Sequence, residues 1–469
     1  MLFNSIEFVV FFIVVYGLYL VLSHRAQNVL LLLASYLFYG WWDWRFLSLI
    51  WLSTLVDYLA GLGMERAPTQ KRRKLWLLLS LAFNLGLLGT FKYMGFFARS
   101  FSDAFAGLGI AVDVRFTDLV LPVGISFYTF QSLTYTVDVY RRELKATRNL
   151  LDFGLCVAFF PQLMAGPIER VKHILPQMQA PRVINFDLVA QGAWLILIGF
   201  FKKVVLADNM APFTNRMFAD PSSVHGLEVL IGIYAFAFQI YGDFSGYSDI
   251  ARGTAKCLGI DLMYNFKMPY FALNPSDFWR RWHISLSTWL RDYLYINLGG
   301  NRGSTARTYR NLMLTMVLGG LWHGAAYNFV AWGVFHGAIL CIHRWLSGGD
   351  TPRERSPGPP RVSVLGVLGF FHVTCVGWLL FGVRRLGDAP ILLRNLVSPF
   401  EINGLIQLAT LTAFAAPVLA LDWLQFRRSD MLAVQHLALP VRASIYVATF
   451  TAIVLCGATG AKQFIYFQF

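Results

Sequence analysis

Apolar runs long enough to cross a bilayer recur along this chain from Phe8 to its C-terminus, separated only by short polar or basic stretches. A hydrocarbon core of about 30 Å takes about 20 apolar residues of helix, and backbone inside it must satisfy its own hydrogen bonds. The runs are continuous rather than alternating, which argues against a β-barrel. A soluble chain of 469 residues would split into domains with charged surfaces, yet 56% of these residues are hydrophobic and only 14% charged. The fold class that follows is all-α: a polytopic transmembrane helical protein. Residues 1–469 read as a single membrane domain, with no separate soluble domain, repeat or low-complexity segment.

The first run, Ile6 to Leu22, carries Glu7 and has no basic residue before it, so it reads as an uncleaved first helix rather than a signal peptide. The formal charge of +14 could point to nucleic acid, but its distribution argues otherwise. Basic residues gather at Arg66 to Lys74, Arg141 to Arg148, Arg302 to Arg310 and Arg427-Arg428, in short loops between apolar runs. This is the positive-inside pattern. Placing those loops in the cytoplasm leaves the N-terminus outside and Trp41 to Arg45 as an outer turn. The linker Gly348 to Arg361 then falls inside, and a last helix from about Ser444 to Gly457 leaves the tail outside. The five cysteines stand singly in apolar segments, without a CxxC pair or zinc spacing, so no metal is expected.

From Pro269 to Arg310 the pattern does not fit a simple spanning helix. Asp277, Arg280, Arg281, His283, Arg291 and Asp292 interrupt it, with Trp279, Trp282 and Trp289 interleaved. An amphipathic interfacial or re-entrant helix, with Trp282 and Trp289 on one face, accounts for the composition. Two readings stand: the segment frames a cavity opening towards the basic face, where an anionic donor docks, or it lies on anionic lipid.

Histidines in apolar surroundings are the chemical candidates, because an imidazole moves a proton near neutral pH and is costly to keep in a membrane without a use. His283 follows Trp282, and His323 follows Gly319-Gly320-Leu321-Trp322. Either could equally be a hydrogen-bonded packing residue. His336 comes thirteen residues after His323. On one straight helix that is about 20 Å, too far to share a metal. Other chemistries lack their signatures: Gly242-Asp243-Phe244-Ser245-Gly246 is not a nucleophile elbow, and no Walker A, GxGxxG or HExxH sequence occurs. Asp57, Asp138, Asp243 and Asp249 would suit a proton or ion relay and keep a secondary transporter in view. A structural assembly subunit is the third class.

Several blocks together carry a resemblance that covers nearly the whole chain. They are Ser35 to Tyr39, Leu121 to Tyr128, Ala165-Gly166-Pro167, Asp243 to Asp249, Phe278 to Arg302 and Leu321-Trp322-His323-Gly324. In these the chain resembles the membrane-bound O-acyltransferases, in their bacterial polysaccharide-acetylating branch. The resemblance implies helices around a funnel and a narrow tunnel. It places the family's catalytic histidine at His323, a second polar position at His283, where many members carry Asn or Asp, and a third candidate at His336. It implies acetyl-CoA as the acyl donor, with no permanently bound cofactor, and donor phosphates held near Arg280, Arg281, Arg291 or Arg302.

The tail Phe464 to Phe469 is similar to a C-terminal aromatic segment in which a tyrosine carries the acyl group, a role that falls here on Tyr466; the alternative is an aromatic belt at the membrane interface. The implied partners are a periplasmic SGNH-hydrolase-like O-acetyltransferase and membrane lipids. The final acceptor is a cell-surface polysaccharide such as alginate, with cellulose and peptidoglycan as alternatives. The implied location is the bacterial inner membrane, multi-pass, with both termini periplasmic.

Overall fold

The computed structural model describes residues 1–110, 119–164, 166–348, 363–399, 403–458 and 464–465. All regular structure among them is helical. Eight helical segments are long and apolar enough to cross a membrane, with the shorter Ile6–Val21 as a further apolar helix. In chain order the helices are α1 (Ile6–Val21), α2 (His24–Asp43), α3 (Leu47–Arg66), α4 (Gln70–Leu88), α5 (Met94–Ala106), α6 (Ile125–Arg141), α7 (Leu150–Ala158), α8 (Phe160–Leu163), α9 (Val171–Gln179) and α10 (Phe186–Phe200). They continue as α11 (Asp208–Ala219), α12 (Leu227–Cys257), α13 (Pro275–Trp279), α14 (Ile284–Trp289), α15 (Thr305–His323), α16 (Tyr327–Leu346), α17 (Val364–Gly382), α18 (Asp388–Asn395), α19 (Asn403–Arg428) and α20 (Leu439–Cys456). The last helix begins at Leu439 rather than near Ser444, because Pro440 sits in its first turn, where the missing N–H costs nothing. The chain divides into two compact units, Met1–Gly192 with Ala251–Met263, and Ala193–Ile250 with Tyr264–Phe469.

In the first unit, α3, α4 and α6 meet around a buried carboxylate. Asp57 accepts from Ser80 Oγ at 2.6 Å and Asn84 Nδ2 at 2.9 Å, while Ser53 Oγ donates to Asn84 Oδ1 at 2.6 Å. Polar groups at this depth are tolerated only when satisfied by neighbours, and this network does so. Two of the basic loops come together at one end of the unit. Arg73 Nη2 donates to the carbonyls of Val139 and Tyr140, and Tyr58 Oη to that of Arg148. Charge on short loops thus collects on one side of these helices, as the positive-inside pattern requires.

The second unit holds the histidines. Its frame is an antiparallel hairpin of α15 and α16, whose backbones approach at glycines. A Cβ added at Gly320 would overlap the carbonyl of Phe329, and one at Gly333 would stand 2.5 Å from the carbonyl of Met316. Small residues at a crossing let backbones pack by van der Waals contact where lipid removes the hydrophobic drive. On the other side, a π-helical turn, Phe201–Ala207, extends α10 and aims two successive lysines at different carboxylates. Lys202 pairs with Asp249 at 2.8 Å, while Lys203 pairs with Asp243 at 2.7 Å and Asp208 at 2.9 Å.

Candidate functional site

The segment before α15 is not one amphipathic helix. It is a series of short pieces: α13, capped by Asn274 Oδ1 accepting from Asp277 N at 2.9 Å, then α14, then a π-helical turn Leu290–Tyr295. The break lies at His283, which takes left-handed φ of 41° and ψ of 55°. Trp282 and Trp289 therefore do not share a helical face. Left-handed backbone at a non-glycine residue is strained and persists only where neighbours over-determine it. Asn265 does so here: its carbonyl accepts from Ile284 N at 2.9 Å, its side-chain oxygen from Ser285 Oγ at 2.6 Å, and its amide donates to Ser248 Oγ at 3.0 Å. Sequence spacing gives no hint of Asn265, because its work is done across the fold.

This turn delivers the His283 ring into a fully buried place, 4.6 Å from the ring of Phe244 and 5.6 Å from that of Trp322. Burial pushes its imidazole down to about 3, so the ring is neutral across the physiological range. His323 is the last residue of α15 and is also buried. Its ring centre lies 6.1 Å from that of His283, 5.1 Å from that of Trp332 and 5.3 Å from that of Phe381. Positive charge developing on this ring during proton transfer would face the partial negative end of the α15 dipole.

His336 corrects a sequence expectation. The chain breaks at Gly324 to Ala326 and folds back, so His323 and His336 are not 20 Å apart on a straight helix. Both flank Trp332, whose ring centre is 5.1 Å from the first and 4.6 Å from the second. Trp279 closes the far side of His336 at 5.1 Å. Among the described residues, the His336 ring nitrogens and the indole nitrogens of Trp279, Trp332 and Trp378 are buried without a hydrogen-bond partner. Buried polar atoms usually find a partner, so these nitrogens mark the most polar spot in an otherwise aromatic cluster.

A cavity of about 240 Å³ opens beside this cluster, lined by Trp279, Leu290, Tyr295, Met316, Arg291 and Arg344 among others. Of the four arginines expected to hold donor phosphates, only Arg291 lines it. Arg281 pairs with Asp277 at 3.0 Å and lies over the ring of Phe426, while Arg280 and Arg302 are exposed elsewhere. Arg344, not singled out from sequence, takes their place on the wall. No group of three or more His, Cys, Asp or Glu side chains that would hold a metal ion occurs among the described residues.

Tyr466 lies outside the described residues; the two residues before it, Phe464 and Ile465, are described. Phe464 and Ile465 are buried rather than spread on a membrane interface. Phe464 packs 4.6 Å from the ring of Tyr247 and 5.6 Å from that of Phe244, and Ile465 N donates to Asp243 Oδ2 at 2.6 Å.

Eight membrane-length helices, with a buried histidine and tryptophan cluster in the second unit, define a polytopic membrane protein. A family model for membrane-bound O-acyltransferases matches residues 36–348. The chain is 44% identical over 388 residues to a probable alginate O-acetylase AlgI of Pseudomonas aeruginosa, covering 82% of this chain and 73% of that protein. It is 36% identical over 436 residues to a peptidoglycan O-acetyltransferase of Helicobacter pylori, covering 86% and 80%. Over 275 residues it is 27% identical to a teichoic acid D-alanyltransferase of Bacillus subtilis, covering 56% and 69%. The chain belongs to the membrane-bound O-acyltransferase family, and it is an O-acyltransferase and a multi-pass membrane protein.

Proposed function

We propose that this enzyme takes an acetyl group from cytoplasmic acetyl-CoA and passes it through the His323 cluster to the phenol of Tyr466, from which a periplasmic SGNH-hydrolase-like partner moves it to a cell-surface polysaccharide such as alginate. The observation that carries this reading is the burial of His323 beside His283 and Trp332, in a cluster whose Trp279 lines the cavity. The named relatives support acyl transfer to cell-surface polymers, with alginate favoured by the similarity of the chain to AlgI and peptidoglycan as the alternative acceptor.

In this reading the cavity takes the acyl-thioester end of the donor, with its nucleotide outside near exposed arginines. Arg291 and Arg344 would meet the phosphate-bearing side. Tyr466 has an ordinary phenol pKa of about 10 and needs a base to attack at neutral pH. His323 takes the phenolic proton as the oxygen bonds to the thioester carbon. The carbon–sulfur bond then breaks, and the proton returns to the departing thiolate, giving acyl-tyrosine and free CoA. Buried indole N–H groups, Trp332 first, are placed to stabilise the intermediate's oxyanion. With the basic loops taken as cytoplasmic, this reading sets the protein in a bacterial inner membrane with both termini in the periplasm.

Membranes incubated with acetyl-labelled acetyl-CoA test this. Covalent label on the protein and then on added polysaccharide is the expected outcome. Uptake of a solute without covalent transfer would replace this reading with secondary transport.

A further inference from the structure

Fixing backbone costs entropy, so a buried pair such as Phe464 and Ile465 needs a seat that holds it. In this structure the seat is a charge cluster in the second unit. Asp243, Lys203 and Asp208 are all buried, and Lys203 pairs with both carboxylates. A carboxylate held away from water is stable only with donors around it. The peptide N–H of Ile465 supplies one, at 2.6 Å from Asp243 Oδ2. A charge-assisted bond of this kind is stronger than a neutral one, and a main-chain donor fixes the chain's path whatever the side chain. Beside it, Phe464 fills the space between Tyr247 and Phe244, and the Phe244 ring lies edge-on to His283 at 4.6 Å.

We infer that Asp243, oriented by Lys203, is a positioning residue that docks the C-terminal arm. The docking contact stands on residues 464 and 465 alone; its consequence for catalysis rests on the proposed carrier role of Tyr466. In that role the arm's seat sets where the next residue presents its phenol. Asp243 touches neither donor nor acceptor and acts through the arm.

The test uses the full-length protein in lipid nanodiscs, with hydrogen–deuterium exchange read by mass spectrometry beside steady-state acetyl transfer. In Asp243→Ala, exchange in the C-terminal peptide should accelerate about tenfold or more, with peptides spanning 278–289 and 305–323 unchanged. The kcat for transfer should fall about tenfold while the KM for acetyl-CoA holds. Asp243→Asn, which keeps an acceptor oxygen, should recover much of both. Phe464→Ala leaves the three charges in place and should release the arm in the same way, so a folding defect of the charge variant does not blunt the test. Unchanged exchange of the arm in both Asp243→Ala and Phe464→Ala would overturn the docking. A released arm with full kcat would overturn the positioning role. Full activity in Tyr466→Phe together with slowed transfer in Asp243→Ala would remove the carrier reading and leave the docking standing.

Discussion

The imidazoles of His283 and His323 lie 6.1 Å apart, centre to centre, with their planes inclined at 51°. Each arrives from a helix end: His283 from the left-handed turn before α14, His323 from the last residue of α15. Helix ends hold a ring at a fixed depth while leaving its edge open to a reactant, which the flank of a helix packed on both sides does not.

If His323 is the general base, His323→Ala should lower acetyl transfer by about 10²–10⁴-fold, the usual range for losing such a group. The variant should still insert and keep its melting temperature within a few degrees. Transfer assays on membranes, matched by immunoblot for protein amount, check both.

His283 is expected to act as a neutral partner. Its folded-state pKa is depressed to about 3, below the unfolded value of about 6.5. Stability is therefore full above pH ~6.5 and falls as pH drops towards 3, where burying the ring costs a proton. The rate of His283→Gln should be reduced, yet the acid limb of its pH profile above pH 5 should keep its midpoint. A limb that moves with this substitution would assign the titration to His283.

Trp332 stands between His323 and His336, with its indole N–H lacking a partner among the described residues. Trp332→Phe keeps an aromatic spacer and removes the donor. Loss of one oxyanion donor typically costs about 10²–10³ in kcat. The expected signature is a lowered kcat with KM for acetyl-CoA within about twofold. Trp332→Ala should in addition cost roughly 3–5 kcal/mol of stability, as for other buried aromatics.

On the cavity wall, Arg291→Gln and Arg344→Gln should raise the KM for acetyl-CoA several-fold with little change in kcat, and more so at high salt. Arg302→Gln, whose side chain is exposed away from the wall, should leave KM nearly unchanged. Kinetics in matched detergent at two ionic strengths separate the cases.

A stability prediction comes from the first unit. Glu169, fully buried, accepts from His173 Nδ1 at 2.9 Å, and that bond raises the His173 pKa above its usual 6.5. A raised folded pKa adds stability below pH 6.5 that disappears as pH climbs through the folded value. His173→Gln should thus lower the melting temperature more at pH 6 than at pH 8. His173 is half exposed, so the difference should stay within about 1 kcal/mol.

Much of this architecture is legible in the residues, because continuous apolar runs in a bilayer leave the helix as their only outlet. Phe278 to Arg302 and Leu321 to Gly324 mark the candidate site for a similar reason: charged and imidazole groups are costly to keep there without a use. What the chain hides is set across the fold. The turn at His283 is imposed by Asn265, eighteen residues earlier. His323 and His336 meet because α15 and α16 fold back on each other, a step signalled only by Gly320, Gly333 and Gly337. The arginines divide by place: Arg281 pairs with Asp277 away from the cavity, while Arg291, paired with Asp292, lines it, which no spacing reveals.

The most direct measurement is mass spectrometry of the C-terminal peptide after one turnover with acetyl-CoA, in wild type and in His323→Ala. The account predicts an acetyl ester on Tyr466 in the wild type and none in the variant, although both bind the donor. An equal ester in both proteins, or polysaccharide acetylated with no ester ever formed on the tail, would contradict it.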